Sequence, residues 1–514
     1  MRRSAIDVFL LILIALCVWS ATAARAQEDP SKGDIIKRGE YLATAGDCVA
    51  CHTEPGKAAF SGGRRMDTPY GPIYPPNLTP DKETGIGDWS DDDFYRAMHE
   101  GIRRDGSYLY PVFPFPWYTH VTRDDALAIK AYLFSLKPVH APDKPNGFSF
   151  PFDVRASLGA WRAAFFRAAE PKAPAPGDKL ARGQYLVEGL GHCGECHNHD
   201  ATFGASNWSG KYEGGAVQGW YAPNITGDGK QGVGGWSEDD LVTFLKSGAA
   251  TGHGVALGPM METITDSLSH LSDDDLHAMA AYLKSIPPKQ TFASTEGGLA
   301  KKGAPGEDVY LSHCATCHGT DGRGQAGRVP ALAGNGAVLA GGPQDVIRAV
   351  LGGLPPGHGL GPMPAIGASL SDDDIAKVVD YVRNNFGNAA PATSKPSEVE
   401  TLRKETTTVM APVETKDCAK VETPETKALL DDGDIEKLAH VNPTERPQAI
   451  DGALKKMGAL AEKTPDKAVA DLTAAYCRVV LQEGRASVEE RAQAIGDFAV
   501  LAYSEAHRPG GVTQ

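Results

Sequence analysis

The sequence predicts a mainly α protein made of three tandem copies of one small module, followed by a helical C-terminal extension. Three observations predict it. Segments repeat along the chain, acidic helix starts led by Ser or Thr recur in every copy, and no sustained apolar–polar alternation marks a competing strand. The 514 residues suffice for about three to five domains rather than one large core. With 41% hydrophobic and 23% charged residues, the composition excludes a polytopic membrane protein and a wholly disordered chain. The 58 glycines and 36 prolines put much of the backbone in turns, leaving little room for long sheets.

Residues 1–26 read as an export signal: Arg2 and Arg3, an apolar run from Val8 to Trp19, then Ala24-Arg25-Ala26 as a small-x-small cleavage site. The run is shorter than the ~20 residues that a membrane span needs. Removing the signal deletes Arg2, Arg3, Arg25 and Asp7 and takes the formal charge from −14 to −16. Such an acidic chain is a poor nucleic-acid binder and well suited to docking on a basic protein face.

Arg38-Gly39-Glu40-Tyr41-Leu42, leading to Cys48-Val49-Ala50-Cys51-His52, recurs as Arg182-Gly183-Gln184-Tyr185-Leu186, leading to Cys193-Gly194-Glu195-Cys196-His197. Pro76-Asn77-Leu78-Thr79 and Gly87-Asp88-Trp89-Ser90 recur at an offset of 147, as Pro223-Asn224-Ile225-Thr226 and Gly234-Gly235-Trp236-Ser237. A shorter third copy runs from Val309-Tyr310-Leu311 through Cys314-Ala315-Thr316-Cys317-His318. Each copy closes on a helix whose N-cap is Thr122, Ser272 or Ser371, followed by acidic residues that favour the positive helix end. Ser90 and Ser237 start a further helix in the first two copies.

These signals set the copies at 27–137, 179–290 and 304–387, with connectors at 138–178 and 291–303. The first connector contains the aromatic helix around Trp161, Phe165 and Phe166, expected to pack between modules rather than lie on a membrane because it lacks a strongly basic face. Residues 388–412, rich in Ala, Pro, Ser and Thr, read as a flexible linker, and 413–514 as a helical segment without a motif. Six of the nine cysteines belong to the C-x-x-C pairs and Cys17 to the signal. Cys418 and Cys477 remain, a disulfide candidate in an exported protein.

C-x-x-C-H is the attachment signature of c-type haem: two thiols one turn apart form thioethers to the vinyl groups, and the next residue carries an imidazole to iron. Zinc and thioredoxin-like sites also use C-x-x-C pairs, but neither accounts for a histidine directly after all three. The predicted cofactors are three covalently bound c-type haems on Cys48 and Cys51, Cys193 and Cys196, and Cys314 and Cys317. His52, His197 and His318 are the axial ligands. The sixth ligand that raises a haem's potential is methionine. Gly258-Pro259-Met260 and Gly361-Pro362-Met363 precede the closing helices of the second and third copies, so Met260, with Met261 as the alternative, and Met363 are the expected ligands. In the first copy the offset from Met260 falls on Phe113, which cannot bind iron. Met66, Met98, His99 and His120 are the other donors there, and a vacant or weakly filled sixth position is the expectation. Phe115 and Trp117 would wall that face.

Residues 34–387 resemble the triple-haem cytochrome c subunits of periplasmic, membrane-associated dehydrogenases for alcohol, gluconate, sorbitol and glucose. Related cytochromes accompany molybdenum hydroxylases. The resemblance rests on the C-x-x-C-H triplet, the Pro-Asn-Leu/Ile-Thr and Trp-Ser segments, Asp105 to Pro111, and the Gly-Pro-Met loops. The family's first copy reads Tyr-Pro-Ala-Met-Pro where this chain has Tyr110-Pro111-Val112-Phe113-Pro114, and residues from Asn388 onward fall outside the match. The resemblance implies three cytochrome c domains. It also implies a periplasmic electron-transfer role, with a quinoprotein, flavoprotein or molybdenum dehydrogenase subunit as donor and quinone or another carrier as acceptor. Peripheral association with the outer face of the cytoplasmic membrane belongs to the same expectation. No dinucleotide fingerprint, nucleophile elbow or carboxylate pair suggests a catalytic site. The competing expectation is a haem enzyme or small-ligand binder that uses an open first haem.

Overall fold

The computed structural model describes residues 30–198, 205, 211–291, 302–325, 329–354, 363–391, 394–406, 421, 423–442 and 445–482. It also describes the short pieces 494–495, 498–499, 501–502 and 505–506. The expected signal, Cys418 and most of the 291–303 connector lie outside these residues. The chain divides into two compact units, Met1–Lys172 and Ala173–Gln514. The fold is mainly α. Strands among the described residues form two-stranded hairpins at most three residues long.

In the first unit, α1 (Pro30–Ala45) leads to the one-turn α2 (Cys48–Cys51), the hairpin β1 (Met66–Thr68) and β2 (Gly71–Ile73), and α3 (Asp91–Glu100). The short α4 (Phe115–Tyr118) and the closing α5 (Arg123–Ser135) follow. The repeated Arg-Gly pair sets the crossing of α1 on α5. Arg38 Nε donates to Asp125 Oδ1 at 2.8 Å, and a Cβ on Gly39 would come within 1.8 Å of the Ala128 carbonyl oxygen. Ser90 and Thr122 cap α3 and α5 by accepting from the Asp93 and Asp125 amides, as their Ser/Thr-acid pattern predicts.

The connector expected at 138–178 instead wraps the first module up to the unit boundary. Gly147 N donates to Pro72 O at 2.8 Å and Ser149 N to Tyr70 O at 3.1 Å, so this stretch lies along the β2 hairpin. α6 (Leu158–Phe165) then brings Trp161 and Phe166 edge-on to the fully buried Phe115. The aromatic helix, expected to pack between modules, packs on its own module, because Phe115 gives Trp161 and Phe166 an aromatic face there.

The second unit repeats the design. α7 (Lys179–Tyr185) leads to α8 (Gly194–His197), the hairpin β3 (Gly215–Val217) and β4 (Trp220–Ala222), and α9 (Glu238–Ser247). A small hairpin of β5 (Ala249–Ala250) and β6 (Gly254–Val255), α10 (Pro259–Asp266) and the closing α11 (Asp273–Ser285) complete the copy. Arg182 is bidentate to Asp275 at 2.8 and 2.7 Å, and a Cβ on Gly183 would lie 1.9 Å from the Ala278 carbonyl oxygen. Because those obstacles are backbone, Gly39→Ala and Gly183→Ala are each expected to destabilise their unit by about 1–3 kcal/mol through overpacking, read as a lower denaturation midpoint. Wild-type midpoints in both variants would contradict this crossing.

The third copy comprises α12 (Glu307–His313), α13 (Ala315–His318), α14 (Gly336–Leu339), α15 (Gln344–Gly352) and the closing α16 (Asp372–Arg383), capped by Ser371. Val309 and Tyr310 of α12 share one apolar cluster with Val378, Tyr381 and Val382 of α16. Part of the stretch expected as a flexible linker is ordered helix. α17 (Pro396–Glu405) buries Val399 and Leu402 against Ile347, Leu351 and Ile375, and Arg403 donates to the Gly367 and Leu370 carbonyls. Two apolar residues three apart suffice to dock a short helix where composition alone reads as a linker.

The C-terminal segment is a helical bundle with its own core, formed by α18 (Pro424–Asp431), α19 (Asp434–His440), α20 (Arg446–Met457), α21 (Ala459–Lys463) and α22 (Pro465–Gln482). Ile435, Ile450, Leu454, Leu472 and Val480 are fully buried in it, and Tyr476 stacks on Phe498 with ring centroids 3.8 Å apart. Cys477, buried in the same core, is disulfide-bonded. Among the described residues, no helix is long and apolar enough to cross a membrane.

Candidate functional site

Each C-x-x-C-H motif forms a single helical turn that presents two half-buried cysteines and a buried histidine. The turn is closed by the histidine's own amide, which donates to the carbonyl of the first cysteine: His52 to Cys48 at 3.1 Å, His197 to Cys193 at 3.0 Å, and His318 to Cys314 at 2.9 Å. Burial pushes the first thiol of each motif up to about 12, so at neutral pH these sulfurs are uncharged. Among the described residues, no three His, Cys, Asp or Glu side chains converge as a metal-binding group.

The histidines share a partner that motif reading alone missed. Nδ1 of His52 lies 2.7 Å from the Pro76 carbonyl, Nδ1 of His197 lies 2.7 Å from that of Pro223, and Nδ1 of His318 lies 3.1 Å from that of Pro330. A carbonyl oxygen only accepts, so Nδ1 carries the proton in all three and Nε2 keeps the lone pair needed to bind iron. Burial also lowers the histidine pKa values, that of His52 to about 4, which keeps the rings neutral.

In the first two copies the proline carbonyls are held by the repeated Pro-Asn-Leu/Ile-Thr segment. Asn77 Oδ1 accepts from the Thr79 amide and hydroxyl at 2.9 and 2.8 Å, while Asn77 Nδ2 donates to Val139 O at 2.7 Å. Asn224 does the same with Thr226, at 2.8 Å for both bonds, and donates to Lys289 O at 2.8 Å. The repetition was visible in the sequence. Its purpose was not, because the working atom is a backbone oxygen.

Met260 stands half-buried on the first turn of α10, next to Met261. Met363 is half-buried, with its backbone paired to Leu354 in both directions at 2.8 and 2.9 Å. Its side chain and that of Cys314 pack against one apolar cluster that includes Ile347, Val350 and Leu351. Gly361 and Pro362 lie outside the described residues.

In the first copy Phe113 meets Tyr118 edge-on at 5.4 Å, and Phe115 and Trp117 behind it are fully buried. The shared caps Ser90/Ser237 and Gly101/Gly248 align α3 with α9, which puts buried Met98 where the second copy has buried Leu245, a packing position. His99 is turned to the wrapping segment: its Nε2 lies 3.0 Å from the Ala169 carbonyl, and its ring stacks on Tyr95. Met66 on β1 and His120 after α4 are half-buried.

Two-thiol turns with a neutral, oriented imidazole in a mainly α module define a c-type cytochrome, whose domains carry covalently bound haem. The family model described as cytochrome c matches residues 36–137 and 303–386. The chain is 40% identical over 433 residues to the gluconate 2-dehydrogenase cytochrome c subunit of Pantoea cypripedii, covering 77% of this chain and 95% of that protein. It is 39% identical over 430 residues to the cytochrome c subunit of alcohol dehydrogenase (quinone) from Gluconobacter oxydans, covering 79% and 88%. The fructose dehydrogenase cytochrome subunit of Gluconobacter japonicus is 38% identical over 394 residues, covering 70% and 81%. The chain belongs to the family of dehydrogenase cytochrome c subunits.

Proposed function

We propose that this protein is a periplasmic three-haem electron carrier that takes electrons from a dehydrogenase catalytic subunit and delivers them to quinone or another carrier. The observation that carries this reading is the same Nδ1-to-proline-carbonyl bond behind all three motif histidines, which leaves each Nε2 ready for iron. In this reading Cys48 and Cys51, Cys193 and Cys196, and Cys314 and Cys317 tether the haems, and His52, His197 and His318 ligate them. The bound groups supply one-electron ferrous–ferric chemistry.

Met260 and Met363 hold the sixth positions of the second and third sites, where a thioether favours the ferrous state. At the first site Phe113 offers no donor, and the apolar wall of Phe115 and Trp117 offers few polar groups to activate a bound oxidant. That favours transfer over catalysis there. The donor is a dehydrogenase of quinoprotein, flavoprotein or molybdenum type, and the acidic surface speeds docking on a basic partner face in a salt-sensitive way. The name of the Gluconobacter oxydans relative supports quinone as acceptor. Export to the periplasm rests on residues 1–26, and peripheral membrane association on the family.

Phe113 also gives the second reading, a small-ligand haem, its one support. Carbon monoxide added to the reduced protein is expected to shift the spectrum of one haem in three, with no turnover of peroxide or nitric oxide. Turnover by the isolated chain would favour the enzyme, and no spectral shift at all would show the first site to be filled.

A further inference from the structure

We infer that helix α15 of the third copy is a positioning element for the second haem site, acting through Trp220 on the Gly258 turn that leads into Met260 on α10. The inference rests on Met260 being a haem ligand, as proposed above. The β3–β4 hairpin turns through Gln218 and Gly219, both at positive φ, and leaves the Gly219 carbonyl and the Tyr221 amide on its edge. α15 satisfies both from one turn of helix. Arg348 Nε donates to Gly219 O at 2.7 Å, and Asp345 Oδ1 accepts from Tyr221 N at 2.8 Å. Both side chains are buried, and a Cβ on Gly219 would come within 2.2 Å of the guanidinium. Arg348 is itself held from the far side by Glu405 and Thr406, at 3.0 and 3.1 Å.

The first copy shows that this edge needs capping. At the same offset of 147, the Pro72 carbonyl accepts from Gly147 N at 2.8 Å and Tyr74 N donates to Asn146 Oδ1 at 3.1 Å. There the chain's own wrapping segment supplies both groups. In the second copy the third copy supplies them, which makes this contact a built junction.

What the clamp holds is Trp220. The Arg348 guanidinium lies 5.6 Å from the indole centroid, and the ring occupies the space where a Cβ on Gly258 would sit, 2.4 Å away. Gly258, at φ 51, opens the turn into Pro259 and Met260. The first copy has Ile73, Pro111 and Phe113 at the positions of Trp220, Gly258 and Met260. Between the first two copies, indole, glycine and thioether are thus present together in the second and absent together in the first.

The test is a redox titration of the haem-loaded full chain, with the sulfur-to-iron charge-transfer band as a second readout. The haem whose midpoint Met260→Ala lowers is the second. Arg348→Ala and Asp345→Ala are expected to lower that same midpoint, with a shift of about tenfold in its ferric–ferrous equilibrium, or about 59 mV, and to weaken the band. The third haem's midpoint is expected to stay in place. Asp345→Asn is expected to leave both haems unchanged, because it keeps the acceptor that Asn146 provides in the first copy. Should Arg348→Ala fail to fold, Trp220→Ile, the first copy's own residue, is expected to give the same fall. A second midpoint unmoved by Arg348→Ala and by Trp220→Ile, in a protein where Met260→Ala moves it, overturns the inference. A midpoint unmoved by Met260→Ala overturns the ligand assignment, and the inference with it.

Discussion

Replacing Met260 or Met363 by alanine is expected to remove the sulfur-to-iron charge-transfer band of one haem and to lower the potential of that haem alone. Loss of the soft thioether removes the ligand that favours ferrous iron, so the ferric state gains by the full difference in ligation. The two substitutions are expected to act on different haems and to add, since the two methionines belong to different copies. Each truncation also shortens a half-buried side chain, so a modest stability loss accompanies the redox effect. Redox titration with optical detection separates the two, because a merely destabilised variant keeps its band and potential until it unfolds. A full band in both single variants would show that neither methionine binds iron.

Removing both tethers of one copy is expected to have the larger effect. With Cys193→Ala and Cys196→Ala together, covalent haem should fall from three groups per chain to two, measured by the mass of the intact polypeptide. The second copy should lose thermal stability as well, because the contacts that a bound haem supplies to it would be gone. The first and third copies should keep their spectra. Loss of haem from all three would instead mean that attachment depends on the whole chain folding at once.

Much of the fold was legible because it is written in side chains that repeat. Arg38 and Arg182 reach Asp125 and Asp275 in the first turns of the closing helices, Gly39 and Gly183 sit where the first and closing helices touch, and Ser90, Ser237, Ser272 and Ser371 cap the helices that their acidic successors announce. The parts that stayed hidden are those in which the backbone does the work. Residues 138–178 read as a connector because Gly147 and Ser149 pair through amides that any residue possesses. The carbonyls of Pro76, Pro223 and Pro330 escaped for the same reason, although the Asn and Thr that follow Pro76 and Pro223 were plain to see.

Composition misled at α17. An Ala-, Pro- and Ser-rich stretch conceals two buried apolar residues, Val399 and Leu402, and an Arg403 that reads carbonyls of the third copy. The junction made by Asp345 and Arg348 was invisible too, since both partners in the second copy are backbone groups. In the first copy, Phe113 marked the departure at residue level. The structure adds that Met98 stands at a packing position and that His99 is turned to Ala169.

The most direct test of the account is the mass of the mature chain, made in a host that attaches haem and measured under denaturing conditions with parallel iron and zinc analysis. The account predicts three haem masses on the polypeptide, three irons and no zinc. A chain carrying fewer than three, or zinc with unmodified thiols, would contradict it.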